Sequence, residues 1–336
     1  MTFATHQIRL AARPSGLPTP EVWDHTESEI GDPAEGTFVV AVRFVSLDPA
    51  MRGWMNEGRS YVPPVQIGEV MRAFAGGEVV ATAHPDFAVG DLVTGLFGVQ
   101  TYAVSDGRGV QKLAPDADLP TNLAVLGMPG MTAYFGLFEV GALKDGETVL
   151  VSGAAGAVGS IVGQLAKIRG CRVVGIAGGP RKCAWLVDEL GFDAAVDYRS
   201  ADFVEALRAQ TPDGVDVYFD NVGGEILDAA LGRLRTHARV PICGAISQYN
   251  KTGKPTGPAN YLSLLVNRAR MEGFVVTDFT QRYPEAAAEM ARWIAEGRLH
   301  SRHDVVRGGV GDFPDVLLRL FKGENTGKLL LELDGA

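Results

Sequence analysis

The sequence predicts an α/β protein with two domains: a doubly wound parallel sheet covered by helices, and a smaller, mainly β domain built from the two chain ends. From Thr148 onward, strands alternate with helical stretches at regular intervals, as βαβ units require. Between Val22 and Leu113 the chain holds only short apolar runs separated by Gly, Pro and Asp turns, with no long helical period. Its 336 residues are enough for two domains.

Taken in order, Phe38–Val45, Glu78–Ala83 and Leu92–Leu96 read as strands of the first domain. Two uncharged runs follow, Leu119–Phe138 and Thr148–Ala166, and both approach membrane-spanning length. Pro120, Gly127, Pro129 and Gly130 break the first. The second contains four glycines and reads as strand, turn and helix. Its strand is Thr148–Ser152, its turn is GAAGAVG (Gly153–Gly159), and its helix keeps Val158, Ile161, Val162, Leu165 and Ile168 at helical spacing. Further strands fall at Arg172–Ala177, Ala194–Asp197, Val215–Asp220, Arg239–Cys243 and Glu272–Val276. Helices are expected at Arg181–Leu190, Ala201–Ala209, Gly224–Leu234 and Tyr283–Glu296. The last forty residues read as short β-like pieces ending in Lys328–Leu333. They carry too little apolar material for a core of their own and are expected to rejoin the N-terminal domain. The expected domains are therefore 1–125 with 299–336, and 126–298.

Composition narrows the function. Apolar residues at 46% and charged residues at 21% fit a soluble globular chain. Lysine and arginine number 31 against 40 acidic residues, a net charge of −9, which argues against a nucleic-acid backbone binder. Cys171, Cys183 and Cys243 are scattered and form no CxxC, so a reducing compartment is expected. The start, MTFATHQIRLAARPSG, lacks the apolar stretch of a secretory signal, and a cytoplasmic location follows as the expectation.

Gly153, Gly156 and Gly159 sit between a strand and a helix, where they allow a tight turn, a close pyrophosphate and close helix packing. The spacing is GxxGxxG rather than GxGxxG, and a ligand-free turn is the alternative. NAD-binding chains usually place an acid at the end of the second strand, to accept the ribose 2′-hydroxyl. Here the chain reads Gly178-Gly179-Pro180-Arg181-Lys182. Two cations in the first turn of a helix oppose its dipole by ~0.3–1 kcal/mol each, and a bound phosphate would offset that, so NADP(H) is expected over NAD.

No cysteine precedes Cys171, His6, His25 and His84 lack partners at ligand spacing, and His300 and His303 lack a third ligand. A catalytic zinc is therefore not expected. No Tyr is followed four residues later by Lys, so the short-chain dehydrogenase acid is absent too. Hydride transfer without a metal suits a double bond conjugated to a carbonyl, whose negative charge collects on an enolate oxygen beside a hydrogen-bond donor. Tyr249, in CGAISQYN after the fifth strand, is the best-placed donor. Packing against the Asn250–Asn260 loop is its alternative role; that loop is long enough to be a lid.

These segments resemble the medium-chain dehydrogenase/reductase superfamily, and within it the zinc-independent leukotriene B4 dehydrogenase/prostaglandin reductase group, with its alkenal double-bond and curcumin reductases. The matching stretches are ARPSGLP (Ala12–Pro18), VSLDPAMRG (Val45–Gly53), MPGMTAYFGLFEVG (Met128–Gly141), SGAAGAVGS (Ser152–Ser160), YFDNVGGE (Tyr218–Glu225), CGAISQYN (Cys243–Asn250), EGFVV (Glu272–Val276) and GENTGK (Gly323–Lys328). The resemblance implies a GroES-like catalytic domain formed by both chain ends, a Rossmann NADP-binding domain, and a homodimer. By the same likeness, Gly156, Ala157, Val158 and Gly159 match the pyrophosphate turn. Lys182 matches the lysine that contacts the adenosine 2′-phosphate and Tyr198 a tyrosine near it, while Arg181 joins them from the reading of the helix start. Asn221, Cys243, Gly244, Ala245, Ile246, Ser247, Tyr249, Phe274, Val275, Val276 and Asn325 match positions lining the nicotinamide and its ribose. Tyr61 matches an aromatic-bearing segment near the substrate. Tyr249 matches a tyrosine assigned to orienting the ribose or the substrate carbonyl, so proton donation and orientation both stay open. Members often carry a serine or another polar residue where this chain has Gly178-Gly179, which removes one phosphate donor. The implied activity is NADPH-dependent reduction of the double bond of small hydrophobic α,β-unsaturated ketones or aldehydes. NADPH quinone reduction is the alternative within enzymes, and a cofactor-binding protein without turnover the alternative outside them.

Overall fold

Apolar runs near the N-terminus pair into sheets in the computed structural model, which describes residues 2–254 and 256–334. Two compact units divide the chain: one takes residues up to Leu123 and from His303 onward, the other Ala124–Arg302. In the first unit, β1 (Phe3–Leu10) and β2 (Trp23–Ile30) form an antiparallel ribbon. Then come β3 (Phe38–Ser46), a short helix α1 (Ala50–Trp54), β4 (Ala75–Thr82), β5 (Leu92–Gly95), β6 (Tyr102–Ser105), β7 (Gln111–Lys112) and α2 (Leu119–Leu123). Phe38–Val42 of β3 is buried on both faces, as its unbroken apolar run requires. β3 pairs with β4 along one side and with β6 along part of the other.

The second unit begins with α3 (Met128–Phe135), which continues into a wider turn at Gly136–Val140. It then alternates: β8 (Thr148–Ser152), α4 (Ala157–Ile168), β9 (Arg172–Ala177), α5 (Pro180–Asp188), β10 (Ala194–Asp197), α6 (Phe203–Gln210), β11 (Val215–Phe219), α7 (Gly224–Leu231), β12 (Leu234–Ile242), α8 (Leu262–Asn267), β13 (Arg270–Gly273) and α9 (Tyr283–Ala295). All its strand pairs are parallel, in the order β10-β9-β8-β11-β12-β13. Counted within this unit the order is third, second, first, fourth, fifth, sixth. The direction of winding therefore reverses between β8 and β11, and ligands of such sheets bind beyond the strand ends at that reversal.

The chain closes with β14 (His303–Gly308), α10 (Phe313–Lys322) and β15 (Lys328–Leu333). β15 lies antiparallel to β3 at Phe44–Ser46 and parallel to β14, so the tail completes the first unit's sheet. Among the described residues no helix is long and apolar enough to cross a membrane.

Three expectations need correction. The tail is not made of β-like pieces alone: α10 buries Phe313, Val316, Leu317 and Leu320, a stripe at helical spacing. The fifth strand starts at Leu234, where a helix end was expected, because a bulge at Thr236–His237 hides its period; His237 there has a φ of 64°. The sixth strand is Arg270–Gly273, not Glu272–Val276, and the chain turns into a 3-10 helix at Val276. An exposed edge strand carries no burial pattern from which its register could be read.

Candidate active site

At the end of β8 the backbone turns through Gly153, whose φ of 58° lies in the left-handed region. Helix α4 then passes so close to the turn that a Cβ at Gly159 would stand 2.4 Å from the Gly153 carbonyl oxygen. Only glycine permits that approach. Gly156 is the N-cap of α4, and no side chain caps the helix. Gly156 N is spent on the Gly153 carbonyl at 2.9 Å, while Ala157 and Val158, in the first turn of α4, are half-exposed residues, an arrangement that suits an anionic pyrophosphate.

Across the reversal, Asp220 follows β11 and is 1% exposed. Its Oδ1 accepts from Ser152 Oγ (2.8 Å), Tyr218 Oη (2.6 Å), Val222 N (3.1 Å) and Gly223 N (3.0 Å). Ser152 Oγ in turn accepts from Asn221 N, and the Asn221 side-chain amide donates to the Ser152 carbonyl at 2.7 Å. This network locks the ends of β8 and β11 together. The segment Cys243–Tyr249 hangs on it: Cys243 N and Gly244 N donate to the Asp220 carbonyl, Ile246 N to that of Asn221, and Ser247 N and Oγ to that of Val222. Tyr249 folds back over this loop, and its hydroxyl accepts from Ala245 N at 3.1 Å. A hydroxyl polarised in this way is a better donor to a further acceptor. Beyond it, the end of the Asn250–Asn260 segment is tied to α7, Asn260 donating twice to Asp228. Residue 255 of that expected lid lies outside the described residues.

At the outer end of β9, Arg181 is exposed and Lys182 half-exposed in the first turn of α5. Tyr198, 41% exposed, follows β10. Phe274 packs inward, its ring edge-on to Phe219 at 6.2 Å and against Gly136, while Val275 is half-buried and Val276 buried. Tyr61 and Asn325 belong to the first unit. Tyr61 is 60% exposed, whereas Asn325 is buried and donates to the Gly327 carbonyl.

Two features were not singled out from the sequence. Asp220 is the peg of the loop system, and the only hint was an acid directly after the buried run Val217–Phe219. Lys328, 1% exposed, donates to the Leu47 carbonyl at 2.8 Å and to Asp48 Oδ1 at 2.6 Å. Burial lowers its pKa, with Asp48 acting against that shift. Both residues stand in stretches that carried the resemblance. The three thiols share one tendency. Burial, with the charge of Asp220 added, pushes Cys243 up to about 12, and burial also raises Cys171 and Cys183. The His6 and His25 rings come within 6.2 Å of each other. Even so, among the described residues no group of three or more His, Cys, Asp or Glu side chains could hold a metal ion.

A six-stranded sheet in this order, with an uncapped glycine turn at its reversal and a separate β domain built from both chain ends, has the architecture of a medium-chain dehydrogenase. Residues 6–113 match the family described as the N-terminal domain of oxidoreductase, and residues 157–292 the one described as zinc-binding dehydrogenase. The NADPH-dependent curcumin reductase of Escherichia coli (strain K12) is 42% identical over 332 residues, covering 97% of this chain and 96% of its own. A 2-alkenal reductase (NADP(+)-dependent) of Nicotiana tabacum is 41% identical over 301 residues, 88% of this chain and 87% of its own. The crystal structure of CurA in complex with NADPH from Vibrio vulnificus superposes with a TM-score of 0.93 at 43% identity, covering 98% of this chain and 100% of that one. The chain belongs to the medium-chain dehydrogenase/reductase superfamily, in the zinc-independent group of prostaglandin, curcumin and 2-alkenal reductases.

Proposed function

We propose that this protein is an NADPH-dependent oxidoreductase that reduces the carbon–carbon double bond of small, hydrophobic α,β-unsaturated ketones and aldehydes, with hydride delivered to the β-carbon and no zinc. The observation that carries this reading is full-length likeness to a curcumin reductase and a 2-alkenal reductase, on a chain whose strand ends form a pegged loop system at the sheet reversal.

The residues present fit a dinucleotide. The uncapped turn Gly156–Gly159 would hold the pyrophosphate through backbone amides, and Arg181, Lys182 and Tyr198 would meet the 2′-phosphate. Asn221, Cys243–Tyr249, Phe274–Val276 and Asn325 would line the nicotinamide and its ribose, and Tyr61 the substrate. When bound, the nicotinamide supplies the hydride. The protein's task is then to hold the enone carbonyl against a donor, so that charge arriving on its oxygen is stabilised as it develops. Tyr249 is the donor we assign, with Ala245 N holding its hydroxyl. A solvent-derived proton at the α-carbon completes the reduction.

We further propose a cytoplasmic homodimer. β13 is an exposed edge strand, and beside it Leu265 and Val266 are 75% and 71% exposed. An open edge flanked by apolar side chains favours pairing with a second copy.

The test is NADPH consumption with a long-chain enal, an aryl enone, a quinone and a saturated ketone, each repeated with NADH. Turnover of the enal or enone with NADPH supports the reading. Turnover of the quinone alone, or none at all despite NADPH binding, refutes it.

A further inference from the structure

Gly178, the first residue after β9, is covered by two side chains from the end of β10. A Cβ built on it would stand 3.0 Å from Arg199 Nε and 3.0 Å from both Cε1 and the hydroxyl of Tyr198. Those two side chains also lie against each other, the Arg199 guanidinium carbon 5.7 Å from the centre of the Tyr198 ring. Asp197 fixes their position. Its Oδ1 accepts the backbone N–H of Gly179 and of Arg199, each at 2.9 Å, and Tyr198 N donates to the Ala177 carbonyl at 3.1 Å. The turn after β10 is thus stitched to the turn after β9, and Arg199 stands at the mouth of α5, whose first turn carries Arg181 and Lys182.

We propose that Arg199 is a specificity-determining residue for the 2′-phosphate of the cofactor, and that Gly178 is glycine because the guanidinium of Arg199 and the phenol of Tyr198 occupy the space of its side chain. The proposal rests on the reading of the dinucleotide as NADP(H). Glycine at this point removes a hydroxyl donor but admits a planar, permanently charged fork, which binds phosphate through two parallel N–H groups where a hydroxyl offers one neutral bond. The exchange strengthens phosphate selection. At 3.0 Å, a Cβ at 178 would make the fork and the phenol give by a few tenths of an ångström, and the serine hydroxyl would add to that crowding.

Calorimetric titration of the full-length protein with adenosine 2′,5′-bisphosphate and with 5′-AMP tests this without turnover. The wild type should bind the bisphosphate more tightly. Arg199→Ala should weaken the bisphosphate by about 10- to 100-fold and leave 5′-AMP within about twofold, the loss expected for charge-assisted hydrogen bonds. Arg199→Lys, which keeps the charge and loses the fork, should fall between. Gly178→Ser should weaken the bisphosphate even though it adds a hydroxyl. Arg199 is exposed, and near-ultraviolet circular dichroism checks that each variant is folded. An Arg199→Ala protein that keeps the wild-type preference overturns the proposal alone, as does a Gly178→Ser protein that binds the bisphosphate more tightly. A wild type indifferent to the two nucleotides overturns the NADP(H) reading and this proposal together.

Discussion

Replacing Asp220 by alanine removes the acceptor on which four donors converge: two hydroxyls and the backbone amides of Val222 and Gly223. The hydroxyls of Ser152 and Tyr218 can rotate to other acceptors; the amides cannot. A buried donor left without a partner costs about 1–3 kcal/mol, so the two amides set a loss of about 2–6 kcal/mol. Among the described residues Asp220 has no ion pair, so losing its buried charge returns part of that, leaving about 2–4 kcal/mol. For a unit of this size each kcal/mol lowers Tm by about 2–4 °C, which places the shift between about 4 and 16 °C. Asp220→Asn keeps an oxygen at the Oδ1 position and should lie much closer to wild type. Scanning calorimetry reads the stability, and fluorescence titration with NADPH reads the loop that hangs on this peg, where affinity should fall for alanine far more than for asparagine. An alanine variant that melts within about 1 °C of wild type and binds NADPH equally well would refute the assignment. Equal losses for alanine and asparagine would show that the charge, not the acceptor, matters.

Tyr249→Phe should lower kcat for an enone by about 100-fold, with the affinity for NADPH little changed, if the hydroxyl serves the substrate carbonyl; a loss confined to cofactor affinity would instead assign it to the ribose. Leu265→Glu should give a monomer by light scattering, and a variant that remains dimeric would exclude the β13 face as the interface. Lys328→Met leaves Asp48 without its buried partner and should cost about 2–4 kcal/mol in urea unfolding. Burial alone would raise the Glu147 carboxyl, but hydrogen bonds from Arg239 and the Lys144 amide, with the charge of Arg239, hold it below its ordinary 4.5. Its stabilising effect is therefore complete above that value and lost as pH falls through the lower, folded one. Glu147→Gln should flatten the acid limb of the stability profile, and an unchanged limb would assign it to other carboxylates.

The first two Rossmann strands, Thr148–Ser152 and Arg172–Ala177, were legible because each is a buried run rich in β-branched residues, and Ala194–Asp197 and Val215–Phe219 because short apolar pieces stand between turns. The next two strands were less so, since Arg235, Thr236 and His237 interrupt one and the other is wholly exposed. Helix α10 was within reach, for its apolar residues recur at helical spacing. In the site, the glycine turn could be read because its residues are contiguous and its chemistry is carried by backbone. Asp220 could not, because its partner Ser152 lies 68 positions away and no local pattern links them. Gly178 was read as a missing donor; only the fold reveals which side chains stand over it.

The raised thiols of Cys171, Cys183 and Cys243 have a meaning specific to this substrate class. Enals and enones are soft electrophiles that alkylate thiolates, and a thiolate is what these cysteines do not offer near neutrality. With Cys243 held up at about 12 by burial and by the charge of Asp220, the sulfur in the loop assigned to the nicotinamide stays in its unreactive thiol form. The burial that seats this loop, with the Asp220 charge added, thereby also keeps its sulfur a poor nucleophile toward an enone.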